Sequence, residues 1–218
     1  MRLETGSKCI DELLGGGIET GTVTQIYGES GTGKTSFCLL FSYTTAKNGK
    51  VAFIDTEGLS GERIDQIFQD KNVLKNVFIY EVFDFRQQST AIKEVSGLIK
   101  RENIRAVILD SLTALYRSEL EDESKQLRFK RELTSQLTFL LGLARKHDIA
   151  VVFTNQMFTD INTGEVKPLG GPSIDHLSKT IVKFEKSGKK RTARLVKHRS
   201  KPEGIECRFE ITDRGIEP

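Results

Sequence analysis

The sequence contains no long apolar run. No hydrophobic stretch approaches the roughly 18 residues needed to cross a bilayer, so no membrane partner is expected. The N-terminus, MRLETGSKCIDELLGGG, lacks the apolar core of a secretory signal. Cysteine is scarce. Cys9, Cys38 and Cys207 are odd in number and far apart, which argues against disulfides and a zinc site and points to a reducing cytoplasm. His147, His176 and His198 are scattered without metal-ligand spacing. No internal repeat, low-complexity tract or long linker is visible. Net charge is only +3, and that alone implies no nucleic acid.

What is present suits one soluble globular domain with a substantial core: 218 residues, 29% of them charged, with a mean hydropathy of −0.33. Charge is unevenly placed. Residues 183–201 carry nine Lys/Arg and one acid, whereas ELEDES (119–124) carries four acids and no base. Such runs are most simply solvated faces.

Apolar runs of strand length alternate with helical patterns. Strands are expected at 22–28, 50–55, 76–82, 105–110 and 149–155. Helices are expected at 34–49, 61–71, 87–102 and about 124–147, the last burying Leu133, Leu137, Leu140, Leu141 and Ala144. Beyond residue 155 the pattern turns β-rich, with two strands around a glycine turn at 180–199 and a third at 206–212. VAFID, AVILD and AVVFT are continuous apolar runs, as expected where helices cover both faces of a parallel sheet.

Between the first strand and its helix lies GESGTGKTS: Gly28, Glu29, Ser30, Gly31, Thr32, Gly33, Lys34, Thr35 and Ser36. The first eight match G-x-x-x-x-G-K-[ST] without a gap. Glycines let successive N–H groups point into one concavity that fits a polyphosphate, and the helix start adds its dipole. Lys34 would reach the β- and γ-phosphates and the Thr35 hydroxyl would ligate Mg²⁺. Asp110, closing AVILD, is placed to support that metal. Hydrolysis also needs a group to activate water. FIDTEG offers Asp55 and Glu57, of which Glu57 is preferred. Gln156, after VVFTN, could contact the γ-phosphate, although spacing alone does not separate it from an ordinary strand-end amide.

The ordered series GESGTGKT, FIDTEG, ILDSLTALYR, VVFTNQ and PLGGPSIDHL resembles the RecA/RadA recombinase core, over nearly the whole chain. Within that family the short length and KHR at 197–199 are most similar to short archaeal recombinase paralogues. The resemblance implies an α/β P-loop NTPase core, with a mostly parallel sheet flanked by helices and a β-rich C-terminal part. It implies ATP and Mg²⁺ as cofactors, Glu57 as water activator and Gln156 as γ-phosphate sensor. It places Arg63 against the adenine ring and DNA loops after Ala114 and at 157–170. It also implies single-stranded DNA and a RadA-type recombinase as partners, with possible homo-oligomers holding ATP at subunit interfaces. Departures accompany it. Only 27 residues precede the phosphate loop, leaving no room for a helical DNA-binding domain or a polymerisation linker. The first loop is acidic, and the second has one lysine, Lys167. A regulatory or mediator role with weak hydrolysis is therefore expected, rather than autonomous strand exchange.

Lys197 and Arg199 are two apart on an expected strand, hence on one face. They resemble the K-x-R pair with which KaiC-like ATPases reach a neighbouring subunit's γ-phosphate. The same hairpin, through Lys189, Lys190 and Arg191 with Lys183, Lys186 and Arg194, is either a DNA path or a solvated face. The rival functions are a KaiC-like signalling ATPase or kinase, and a non-hydrolysing ATP-gated adaptor.

Overall fold

The computed structural model describes residues 1–121, 125–159 and 166–218. Strands β1 (Arg2–Leu3) and β2 (Ile18–Glu19) pair around helix α1 (Lys8–Leu14). The alternating part follows: β3 (Val23–Gly28), α2 (Lys34–Ala46), β4 (Lys50–Asp55), α3 (Gly61–Ile67), α4 (Lys71–Leu74), β5 (Val77–Glu81), α5 (Phe85–Arg101), β6 (Ile104–Asp110), α6 (Ala114–Ser118), α7 (Gln126–His147) and β7 (Ala150–Asn155). The C-terminal third holds β8 (Met157–Thr159), β9 (Val166–Pro168), α8 (Pro172–Leu177), β10 (Thr180–Ser187), β11 (Lys190–Lys197), β12 (Glu206–Thr212) and β13 (Gly215–Glu217). The expected elements are present with shifted ends. The single helix expected at 61–71 is two, because the Asp70 carboxylate accepts from the Asn72 N–H and restarts the chain as α4.

The main sheet runs β13-β12-β11-β10-β3-β7-β6-β4-β5. From β10 to β5 every pairing is parallel, and β11, β12 and β13 add antiparallel strands at one edge. Side chains alternate between two cores as the strand period requires. Phe53, Ile108 and Val152 face α1 and α2, while Ile54, Leu109 and Phe153 face α5 and α7. All six are fully buried, which explains why these strands read as unbroken apolar runs. Phe184 bridges the layers on the α2 side, edge-on to Phe37 and against Phe209. On the other side α5 and α7 share a buried hydrogen bond in which Gln88 Nε2 donates to Gln136 Oε1 at 2.8 Å. No helix among the described residues is long and apolar enough to cross a membrane.

One expectation is overturned. Cys9 and Cys207 form a disulfide across a sequence separation of 198, and Cys38 is free and buried. Spacing suggested no pairing because the contact is tertiary: α1 packs on β12, which brings the two ends of the chain together. The scarcity of cysteine therefore gives no argument for a reducing compartment. A cross-link closing so long a loop removes denatured-state entropy worth at most about 5 kcal/mol. Reduction should lower the melting temperature by up to roughly 10 °C in a chain of this size. Cys9→Ser should melt at that lower temperature with or without reductant. A wild-type melt indifferent to reductant would rule out the bond as a stabiliser.

Candidate nucleotide site

In a parallel sheet the strand ends carry ligands on their C-terminal side. Here β3, β4, β6 and β7 end together at Gly28, Asp55, Asp110 and Asn155. Gly28 has no room for a side chain, since a Cβ there would lie 2.2 Å from the Phe184 carbonyl oxygen of β10. Gly33 caps α2 at φ +98°, in the left-handed region where glycine is at ease. Between them the loop curls. Thr32 Oγ1 donates to the Glu29 carbonyl at 2.8 Å. Lys34 Nζ lies back across the loop and donates to the carbonyls of Gly28 (2.8 Å) and Glu29 (3.0 Å). Burial lowers the proton affinity of Lys34, while Asp110 and Glu57 oppose that shift.

Asp110 is buried at the end of β6. The Thr154 hydroxyl donates to its carboxylate, and the Thr35 hydroxyl lies near enough to favour the charged form. Loss of water dominates all the same and pushes its pKa up to about 6. Thr35 and Asp110, the two expected metal residues, are thus brought close together. Asp55 and Glu57 separate cleanly. The Asp55 carboxylate accepts from the backbone N–H groups of Glu57, Gly58 and Leu59 and so shapes the turn. That turn is fastened to β6, because Thr56 N–H donates to the Asp110 carbonyl and Ser111 N–H donates to Thr56 Oγ1 at 2.7 Å. Glu57 is left facing the cleft, where Gln156 Nε2 donates to its Oε1 at 2.9 Å. The amide that spacing could not assign is therefore bonded to the expected water activator.

Lys34, Thr35, Glu57 and Gln156 line a cleft of about 790 Å³ over the phosphate loop. Arg117, at the end of α6, also lines it, with Met157, Phe158 and Ile211 as an apolar wall. Sequence reasoning gave Arg117 no role. Its signal was present in ILDSLTALYR, seven residues after Asp110, but only the fold turns α6 toward the loop. Gln156 is anchored beneath: its N–H donates to Thr113 Oγ1 (3.1 Å), and its carbonyl accepts from Leu169 N–H (2.9 Å). Asn155 Nδ2 donates to the Leu169 carbonyl at 2.8 Å.

Other expected residues sit apart. Arg63, on α3, donates to Ser36 Oγ (3.1 Å) and to the Gly215 carbonyl (3.2 Å), beside the first turn of α2 rather than in the phosphate cleft. Lys197 and Arg199 do not share a strand face as expected, because β11 ends at Lys197. Lys197 Nζ donates to the Asp175 carbonyl at 2.7 Å, and Arg199 pairs with Glu19 at 3.3 Å. Lys197 lies level with Gln25, three residues down β3 from the phosphate loop. Lys190 pairs with Glu210 (3.5 Å), and Lys189 lies in the turn between β10 and β11. Arg191 Nε donates to the Gly31 carbonyl at 3.1 Å. Lys167 is on β9, opposite Phe158. Residues 122–124 and 160–165, within the two expected DNA loops, lie outside the described residues.

The Rad51 family model matches residues 1–218. The chain belongs to the Rad51 family. It is 62% identical over 218 residues to "DNA repair and recombination protein RadB" of Archaeoglobus fulgidus, covering 100% of this chain and 99% of that protein. The protein of the same description from Methanococcoides burtonii is 48% identical, with 99% and 97% covered. A solved structure described as "Crystal structure of the RadB recombinase" superposes with a TM-score of 0.85 at 37% identity, covering 99% of this chain and 98% of that one. The α/β architecture expected from sequence is thus that of the family, with its antiparallel C-terminal strands.

The raised pKa of Asp110 makes a stability prediction for the ligand-free protein. Its folded value, about 6, lies above the unfolded 3.8, so the folded state holds its proton more tightly. Stability is then full below pH 3.8 and falls as pH rises through 6. Asp110→Asn removes the buried charge. It should stabilise the free protein at pH 8 by at most about 3 kcal/mol, with roughly half of that gain left at pH 5. Urea midpoints at both pH values test this, and a gain that did not change with pH would refute the assignment.

Proposed function

We propose that this chain is an ATP-binding DNA repair and recombination protein of low hydrolytic activity. It is one ATPase core over residues 1–218, binds single-stranded DNA and regulates or assists a RadA-type recombinase in the cytoplasm. The observation that carries the reading is the meeting, in one cleft of a Rad51-family chain, of Lys34, Thr35 with the buried Asp110 close behind it, and the Gln156–Glu57 pair.

The donors fit the cofactors. The loop N–H groups and Lys34 suit a polyphosphate, and a hydroxyl backed by a buried carboxylate suits a hard cation. Mg²⁺ held at Thr35 and supported by Asp110 would supply positive charge to the β- and γ-phosphate oxygens. Lys34 would exchange its two loop carbonyls for phosphate oxygens, so that the bonds given up are replaced in similar number. Glu57 orients the attacking water and accepts its proton. Gln156 would transfer its amide from Glu57 to the γ-phosphate. That movement frees the base and pulls on Leu169 through the backbone bond between them. The segment carrying β8 and β9, assigned to the second DNA loop, begins at this amide. Its coupling to DNA affinity follows from the shared backbone.

Lys197 and Arg199 would act on the nucleotide of a neighbouring copy, consistent with their distance from this chain's own loop. Their present partners, a carbonyl and a half-buried carboxylate, would be given up on assembly.

Lys34→Ala should abolish binding of a fluorescent ATP analogue. Glu57→Gln should bind it normally yet hydrolyse ATP about 100-fold more slowly. Anisotropy of a labelled single-stranded oligonucleotide, at two salt concentrations with and without a non-hydrolysable analogue, tests the DNA assignment. Salt-sensitive binding that changes with nucleotide is expected. Absence of binding at low salt in both states would make the chain an ATP-gated partner of another protein.

Specific hydrolysis by the wild type should rise with protein concentration, and Arg199→Ala should flatten that rise. If Arg199→Ala matched wild type at every concentration, action across an interface would be refuted.

A further inference from the structure

The basic turn between β10 and β11 is exposed, but it is bonded to the phosphate loop. β10 follows β3 as far as Gly28, and the chain then lies along the phosphate loop. Arg191 is fixed from behind by its own turn, with Nη1 donating to the carbonyls of Lys189 (2.9 Å) and Lys190 (3.1 Å). From the front its Nε donates to the Gly31 carbonyl at 3.1 Å. Lys186 adds a second cation here. A Cβ on Gly31 would meet its Nζ at 3.4 Å.

The Gly31 carbonyl and the Thr32 N–H belong to one planar trans peptide, so they point in opposite directions. A guanidinium that draws the carbonyl outward therefore turns the Thr32 N–H inward, toward the concavity lined by Gly31, Gly33 and Lys34. Gly31 has φ +75°, a conformation that costs glycine little, but glycine also leaves neighbouring peptide planes free to rotate. The Thr32 side chain holds the far side of this peptide through its bond to Glu29. Arg191 holds the near side. Elsewhere the basic stripe is largely spent on internal acids, with Lys183 on Glu185 (2.7 Å) and Arg194 on Glu206 (2.6 Å).

We propose that Arg191 is a positioning residue for nucleotide binding, which sets the Gly31–Thr32 peptide so that the Thr32 N–H is aimed at the phosphates. A strand turn more than 150 residues away in sequence thus completes the phosphate loop from within the same chain. The inference rests on the ATP-binding reading.

The test is titration of the full-length protein with MgATP and MgADP, alongside melting temperature and the salt slope of single-stranded DNA binding. Wild type must bind MgATP, and its failure to do so would refute the ATP reading itself. Arg191→Ala should weaken both nucleotides about tenfold, with the melting temperature shifted by no more than a few degrees and the DNA salt slope unchanged. Arg191→Lys keeps the charge but loses the forked donor, and should remain at least severalfold weak. Full recovery by Arg191→Lys would assign the effect to charge alone and overturn the positioning role. Unchanged nucleotide affinity in Arg191→Ala, with a salt slope reduced by about 0.7, would make Arg191 a DNA phosphate contact instead.

Discussion

Asp110 is a carboxylate taken out of water, held by one hydroxyl and approached by a second. Thr154 brings the end of β7 to it, and Thr35 brings the first turn of α2. The backbone carbonyl of the same residue receives the Thr56 N–H, which fixes the turn after β4. One residue at the end of β6 thus registers the phosphate loop, the Glu57 turn and the Gln156 strand against each other. The burial is costly for the free protein, as the elevated pKa attests. That cost is the usual mark of a site built for charge that arrives with a ligand.

A second layer ties the cleft to the C-terminal third. Thr113 Oγ1 donates to Asn155 Oδ1 and supports Gln156, while Asn155 and Gln156 together hold Leu169 by its carbonyl and its N–H. These bonds are buried, so they are expensive to leave unmade. Beyond these bonds, Phe158 of β8 and Val166 of β9 are open to solvent.

Much of this was legible in the chain. Apolar runs of five or six residues located the parallel strands, because both faces of the sheet are covered and alternation is suppressed. The phosphate loop, Asp110 and Glu57 were readable because their chemistry demands local spacing at strand ends. Gln156 needed the fold, since its partner is 99 residues away. Arg117 and Arg191 were harder still. Each reaches the site from an element whose pattern speaks only of its own helix or strand, and a basic run looks alike whether it faces solvent, nucleic acid or a carbonyl. Lys197 and Arg199 show the opposite failure. A period-two argument presumed that the strand continued, and it stops between them.

The bond between Cys9 and Cys207 changes the molecule's topology as well as its stability. All but the two short tails of the polypeptide becomes a closed covalent ring. A single backbone cut anywhere in that ring opens it without dividing it, and the two pieces stay one molecule until the sulfurs are reduced. The ring also prevents the antiparallel edge of the sheet from peeling away on its own. β12 is bonded to α1, and α1 precedes β3 and the phosphate loop, so the last strands and the first helix must leave the core together.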